Sequence, residues 1–445
     1  RDTLKKITPN IPTTTNWYWC QEELNYKTFS KEVDIVAWDE YPQWHSPKGD
    51  FNIANETAFI YNFNRCLKGG QPFLLMESTP SCVSYREANT LKRPAMTLTS
   101  GLQAIAHGAD SVQYFQWRKS RGSFEKFHGA VVDHVGTEHT RTFREVSKLG
   151  ELLDKISCIK GAETKAEAAI IYDRENLWAL QNCLGFKTHN YGYEETCFEH
   201  HKRLYRAGVN IDVISPEDSF SRYKLIIIPM LYMMGGDTAE KIEKYVANGG
   251  NVVMTYISAY VNETDLCWLG GFPAGKLKRV FGIWNEEIDS MFDGVLKSVL
   301  NSDGKEYKAK DYCEIIHEQG AEVLCRYNED FFNGKACVTV NRYKKGNAYY
   351  IAFRDTGEFL DDFYNSLLKE LKIKRAYNGT LPENVAAASR IKDDVEYVFL
   401  QNFSASVKTV KIGSYIPVVE TAAKIINDNA EIGPYETIIL KRCLK

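Results

Sequence analysis

Phe73-Leu74-Leu75-Met76-Glu77-Ser78-Thr79-Pro80 is an apolar run that ends on a carboxylate and opens into a proline-bounded polar loop. A run of this form reads as a buried strand whose C-terminal end carries polar chemistry. Three others resemble it: Ile11–Asn16, Val33–Trp38 and Ser111–Trp117, each apolar until it breaks into polar residues at its end. Helical spacing intervenes. Ile60, Phe63 and Leu67 fall at i, i+3 and i+7 before Gly69-Gly70, and Leu98, Leu102 and Ile105 at i, i+4 and i+7 before Gly108. Strand, helix and strand in series imply parallel pairing with right-handed crossovers. At about 40 residues per unit the spacing suits a (β/α)8 TIM barrel, which needs eight units. Four are present, so residues 1–160 are expected to form half of such a barrel.

The pattern changes after the helical stretch carrying Phe143, Val146, Leu149, Leu152 and Leu153, where Glu163–Glu167 reads as a linker. Residues 161–375 then offer the buried runs Ala168–Tyr172, Val209–Ile214, Leu225–Pro229 and Asn251–Thr255, with Ala239, Ile242, Tyr245 and Val246 as the apolar face of a helix. An α/β, doubly wound, flavodoxin-like sheet is the expectation. Residues 376–445 read as a small antiparallel β domain, with strands at Val395–Gln401 and Thr437–Lys441.

Composition narrows the function. Hydrophobic residues make up 44% and charged residues 25%, and Lys+Arg 55 against Asp+Glu 58 leaves a net charge of −3. No large basic field exists to hold nucleic acid or an anionic membrane, so neither is expected as a partner. The longest apolar run, Leu225–Met234, contains Pro229 and falls far short of the roughly 20 residues of a membrane span. Cysteines number 11, scattered from Cys20 to Cys443 without a C-x-x-C pair, which fits reduced thiols and a cytoplasmic location. Glu199-His200-His201 lacks H-E-x-x-H spacing and a third ligand, so it reads as a solvated helix face and no metal is expected. No G-x-G-x-x-G follows a strand, and no cofactor is expected. The second domain resembles class I glutamine amidotransferases in layout, yet Met230-Leu231-Tyr232-Met233-Met234-Gly235 holds no elbow nucleophile after its third strand. Met233 and Met234 suit an ordinary core.

Barrels place their active sites at the C-terminal ends of strands. There Glu77 stands as a candidate nucleophile toward an anomeric carbon, or as a solvated strand-end carboxylate. The second run ends Trp38-Asp39-Glu40-Tyr41-Pro42, adding two carboxylates and a phenol to the same rim. Arg118–Gly122 and Glu125–Gly129 gather donors and acceptors of the kind that hydroxyl-rich ligands need.

Leu75–Pro80, Gln103–Gly108, Tyr114–His128 and Gly129–His134 together resemble the β-galactosidases of glycoside hydrolase family 42. The later segments resemble that family's trimerisation domain and C-terminal β domain. The resemblance implies that Glu77 is the nucleophile and that Tyr41, Glu125 and His128 contact the galactose. Tyr85 stands where the family has tryptophan, leaving a smaller aromatic face for the sugar. It also implies that the first strand here is the barrel's fifth, so that residues 1–160 are the C-terminal half. The Asn-Glu acid/base at the end of the fourth strand would then precede Arg1. Glu40 is not taken as its substitute, because its strand neighbours the nucleophile's. The family's cysteine-bound zinc has no ligand positions in this chain. The implied activity is retaining hydrolysis of small, terminal β-galactosides by a homotrimer partnered with an N-terminal half-barrel segment or chain. If that half is truly absent, the alternative is a non-catalytic sugar-binding or trimerisation subunit.

Overall fold

The computed structural model describes residues 1–18, 23–187, 191–419, 424–426 and 428–444. Two compact units result, one of residues 1–165, 204–210 and 374–445, the other of 166–203 and 211–373.

The first unit opens with four parallel strands, β1 (Asn16–Trp17), β2 (Ala37–Asp39), β3 (Phe73–Glu77) and β4 (Ala109–Val112), ordered as they occur in the chain. Trp38 pairs with Leu75 and Phe73 with Ala109, so β3 is central while β1 and β4 are the sheet's edges among the described residues. Two strands differ from the sequence expectation. β1 begins at Asn16 instead of Ile11, because Pro12 has no N–H and Thr13 donates its own to Asp34 Oδ2 at 2.8 Å. β4 ends at Val112 instead of Trp117. Beyond it Phe115 N donates to Ser78 O, and the carbonyls of Gln116 and Trp117 accept from Val131 and Val132, so these residues join loops and leave the ladder.

The helix Asp50–Cys66 is buried along almost its whole length and is followed by Gly69 and Gly70, both at positive φ, which end its run as the sequence expects. The helix Met96–Ala106 packs closely on the helix Arg141–Lys155. A Cβ on Gly101 would lie 2.8 Å from Leu149 Cδ2, so any larger residue there requires the Leu149 side chain to shift.

The second unit is built on β5 (Ala168–Ile171), β6 (Ile211–Ile214), β7 (Leu225–Ile228) and β8 (Asn251–Thr255), in which every residue is buried. After them come β9 (Ile283–Ser290), β10 (Lys297–Asn301), β11 (Glu306–Glu318), β12 (Glu322–Tyr327), β13 (Ala336–Tyr343), β14 (Gly346–Ile351) and β15 (Phe353–Asp355). The parallel part runs β6-β5-β7-β8-β14, the flavodoxin-like order. Here the doubly wound expectation needs correction, since β13, β12, β10, β11 and β15 extend the same sheet antiparallel and β9 pairs with β11. The cause is visible in Glu306-Tyr307-Lys308-Ala309, which alternates exposed charge with buried side chains at the period of a strand. A second correction concerns His200 and His201. Both are buried, not solvated: His200 Nδ1 meets Tyr364 Oη at 2.6 Å, and burial pushes its imidazole down to about 3.

The C-terminal segment forms a β domain. Val385–Lys392, Val395–Asn402, Thr437–Cys443 and Ile416–Pro417 pair antiparallel, and Lys408–Lys411, Asn429–Ile432 and Lys424–Ile426 form a second sheet. Val385, Val398, Leu400, Val410, Ile432, Ile438 and Leu440 contribute to one apolar core. Within the first unit, the fully buried Arg390 joins this domain to the part that carries the four-stranded parallel sheet. Its guanidinium donates to the carbonyls of Ile105, Ala109 and Ala162 and pairs with Asp110 at 2.8 Å.

Among the described residues no helix is long and apolar enough to cross a membrane, and no cluster of His, Cys, Asp and Glu has the makings of a metal site. The ten described cysteines form no disulfide with one another; Cys20 lies outside the described residues.

Candidate active site

Parallel pairing sets Asp39 opposite Glu77, after an irregularity in register between Trp38 and Asp39. Glu40 N donates to the Glu77 carbonyl at 3.0 Å, which continues the ladder one residue past β2 and fixes where Tyr41 leaves the strand. From there the Tyr41 hydroxyl donates to Glu77 Oε2 at 2.8 Å. Burial, with the neighbouring Glu77 charge, drives the Tyr41 phenol far above its ordinary value, so it stays a proton donor. Asn16, at the start of β1, reaches from the other side: its amide donates to Asp39 Oδ2 at 2.5 Å and lies 3.4 Å from Glu77 Oε1.

His128 completes the wall. It is 1% exposed, and its ring lies 5.7 Å from that of Tyr41, 5.2 Å from Phe115 and 6.3 Å from Tyr85. The loop that carries it is pinned by Gly129, whose N–H donates to Cys82 O at 2.7 Å. A Cβ on Gly129 would meet the Cys82 carbonyl oxygen and Thr79 Oγ1, each at 2.7 Å, so the loop after Glu77 and the loop bearing His128 touch only because residue 129 is glycine. Tyr85 is 59% exposed and presents an aromatic face beside Tyr41 at 6.4 Å. Glu125 stands apart. Its side chain is exposed on the rim, and its carbonyl accepts from His128 N at 2.9 Å. The structure thus brings Glu77, Tyr41, His128 and Tyr85 together and leaves Glu125 at the edge.

The two carboxyls beside Glu77 behave differently. Glu40 turns away from it, accepting from Trp38 Nε1 at 3.0 Å, and burial pushes it up to about 7. Asp39 is also raised to about 7 by burial; the Asn16 amide opposes that rise and the Glu77 charge adds to it. Oδ1 of Asp39 is buried with no hydrogen-bond partner among the described residues.

Sequence reasoning passed over four neighbours. Asn16 is the polar residue ending the first run, the position inspected in the other three. Phe115 lies within the fourth run and borders a cis peptide to Gln116. Arg86 donates through its guanidinium to the Tyr41 carbonyl. Lys92 is buried under the loop after Glu77, giving its ammonium to Thr79 O at 2.6 Å, and burial draws it down to about 7. Nothing in the sequence marks the last two, since each acts through a backbone carbonyl.

The geometry places a carboxylate, steadied by a phenol, at the mouth of a parallel sheet among aromatic faces and an imidazole. Comparison with known proteins agrees. Residues 1–156 match the family model described as β-galactosidase, and residues 166–374 match that of the β-galactosidase trimerisation domain. The chain is 44% identical to the β-galactosidase Pbg of Clostridium perfringens, over 99% of this chain and 65% of that one. The crystal structure of the cold-adapted β-galactosidase from Rahnella sp. R3 superposes with a TM-score of 0.95 at 42% identity, covering 100% of this chain and 65% of the other. Gan42B, a GH42 β-galactosidase from G. stearothermophilus, gives 0.95 at 39% identity, over 99% and 65%. The chain therefore spans about two thirds of the length of these relatives, just under that fraction in each case. By both domain matches and by identity along nearly its whole length, the chain belongs to the glycoside hydrolase family 42 β-galactosidase family.

Proposed function

We propose that this chain is the nucleophile-bearing part of a retaining β-galactosidase that acts on small, terminal β-galactosides. The observation that carries this reading is the Glu77 carboxylate at the end of β3, gripped at Oε2 by Tyr41 and walled by His128 and Tyr85. Glu77 attacks the anomeric carbon; Tyr41 orients it; His128 and Glu125 bind galactose hydroxyls, and Tyr85 packs on the sugar's apolar face. In this reading residues 1–160 are the C-terminal half of a (β/α)8 barrel, 161–375 the trimerisation domain and 376–445 the C-terminal β domain. The open edges at β1 and β4 support a half-barrel, as does the greater length of the relatives. The acid/base is then a Glu of an N-terminal half-barrel segment or chain pairing with those edges, held about 5 to 5.5 Å from Glu77. The absence of a disulfide among the described cysteines suits a cytoplasmic location.

A 2-fluoro galactoside with an activated leaving group tests the chemistry by trapping the nucleophile. Digestion and mass analysis should find the sugar on the peptide containing Glu77. Label on another residue would overturn the role of Glu77, and binding without label would favour the non-catalytic subunit. Light scattering should report about three chain masses per particle, and a monomer at every concentration would refute the trimer.

A further inference from the structure

Glu77 has two oxygens, and only Oε2 is held by Tyr41. Oε1 lies 3.4 Å from the Asn16 amide, which also donates to Asp39 Oδ2 at 2.5 Å, so the two carboxyls meet at one amide. We propose that Asp39 is a positioning residue for Glu77: it carries a proton and directs it at Glu77 Oε1, so that the attacking carboxylate is held in line. The proposal rests on the reading of Glu77 as nucleophile and adds a residue to it.

Three observations support it. Asp39 and Glu77 are register partners on adjacent parallel strands, so their separation is set by the sheet. The titratable groups beside Asp39 are the Glu77 carboxyl from β3 and the Tyr41 phenol on its own run, while Glu40 turns to the other face and Asn16 from β1 is neutral. Two carboxylates this close do not both ionise near neutrality without a cation between them. Burial favours the proton on Asp39, which is 7% exposed and whose Oδ1 has no partner among the described residues. A protonated Asp39 fixes one lobe of the attacking carboxylate and leaves the other for the sugar. Loss of its proton would set two like charges side by side and turn Glu77 out of line.

The test is a titration of the full-length protein labelled with 13C at aspartate carboxyl carbons, followed by NMR, with Asp39→Asn to assign the signal. The Asp39 midpoint should lie near 7. Glu77→Gln removes the neighbouring charge and should lower that midpoint by roughly one pH unit or more. Asn16→Ala removes a donor to the charged form and should raise it. A midpoint in the ordinary carboxylate range near 4, or one that Glu77→Gln does not move, overturns the proposal. Because the titration requires no turnover, it separates this inference from the hydrolase reading, which the 2-fluoro galactoside label tests. In the labelling reaction the leaving group needs no acid, so an alkaline fall in trapping rate near pH 7 should be present in the wild type and absent in Asp39→Asn. Persistence of that fall in the variant would also overturn it.

Discussion

At the ends of β2 and β3 the chain leaves Asp39, Tyr41 and Glu77 on an open rim, whereas at the ends of β7 and β8 the following loops fold back over the strands. Met230, Leu231, Ile257 and Ala259 are buried there, with Met230, Ile257 and Ala259 at positive φ. Three of their N–H groups find side chains: Met230 donates to Thr255 Oγ1, Leu231 to Ser258 Oγ and Ile257 to Glu314 Oε1, while Ala259 donates to the Leu231 carbonyl. Glu314 also accepts from the hydroxyls of Tyr260 at 2.8 Å and Tyr350 at 2.6 Å. At the first sheet Asp39 Oδ1, Tyr114 Oη and Gln116 Nε2 are buried without partners among the described residues. The first sheet and the β6-β5-β7-β8 part of the second are parallel, and in such folds this edge is where ligands bind. One edge is closed by its own loops, and the other leaves Glu77 and Tyr41 part-exposed at its mouth.

Substitutions can break this contrast. The largest effect is expected at Glu77→Gln, which keeps shape but removes the attacking charge and should lower β-galactoside turnover by roughly 10,000-fold or more, with folding by circular dichroism unchanged. Retention of more than a few per cent of the rate would move the chemistry elsewhere. Tyr41→Phe deletes a hydrogen bond to a charged group, worth about 1.5–3 kcal/mol, so steady-state kcat should fall roughly 10- to 100-fold. If kcat holds and only KM rises, Tyr41 binds sugar without orienting Glu77.

Gly129→Ala sharpens the comparison from the backbone side. Its Cβ meets backbone atoms of Cys82, which cannot swing aside, and should destabilise the first unit by about 1–3 kcal/mol in denaturant unfolding while displacing His128. An unchanged midpoint would mean the two loops separate freely. The smallest effect is expected at Glu314. Burial raises its carboxyl to about 7 from an ordinary 4.5, so the folded state holds a proton that the unfolded chain has released. Its contribution to stability is fully present below about 4.5 and is lost as pH rises through 7. Unfolding midpoints between pH 5 and 8 should therefore decline less steeply in Glu314→Gln than in the wild type, and parallel curves would exclude this group.

The parallel strands of the second unit were legible because each is a short, largely apolar run, and Asn251–Thr255 has the bounds its sequence suggests. β9 through β15 escaped notice for the opposite reason: with one face wet, Glu306–Lys310 reads as charged sequence unless it is searched at a period of two. In the site, Glu77, Tyr41 and His128 could be named from motif and strand end, and the structure groups them. Asn16 carried the same strand-end signal and was overlooked. The difference between Asp39 and Glu40 could not be read from a string, since adjacent residues on a strand point to opposite faces, and only the fold shows which side holds Glu77.

Arg390 bears on how this polypeptide can be divided. The residues it ties together are more than 200 positions apart, and its guanidinium occupies carbonyls at the end of one helix, at β4 and at Ala162. Removing residues 374–445 as a dispensable tail would strip those acceptors of their donor and leave Asp110 facing a void. Fragment boundaries drawn from sequence order alone would thus produce an insoluble product from residues 1–165. Supplying the last segment as a separate polypeptide offers a complementation assay, in which recovery of soluble material measures how much of the first unit's folding is borrowed from its far end.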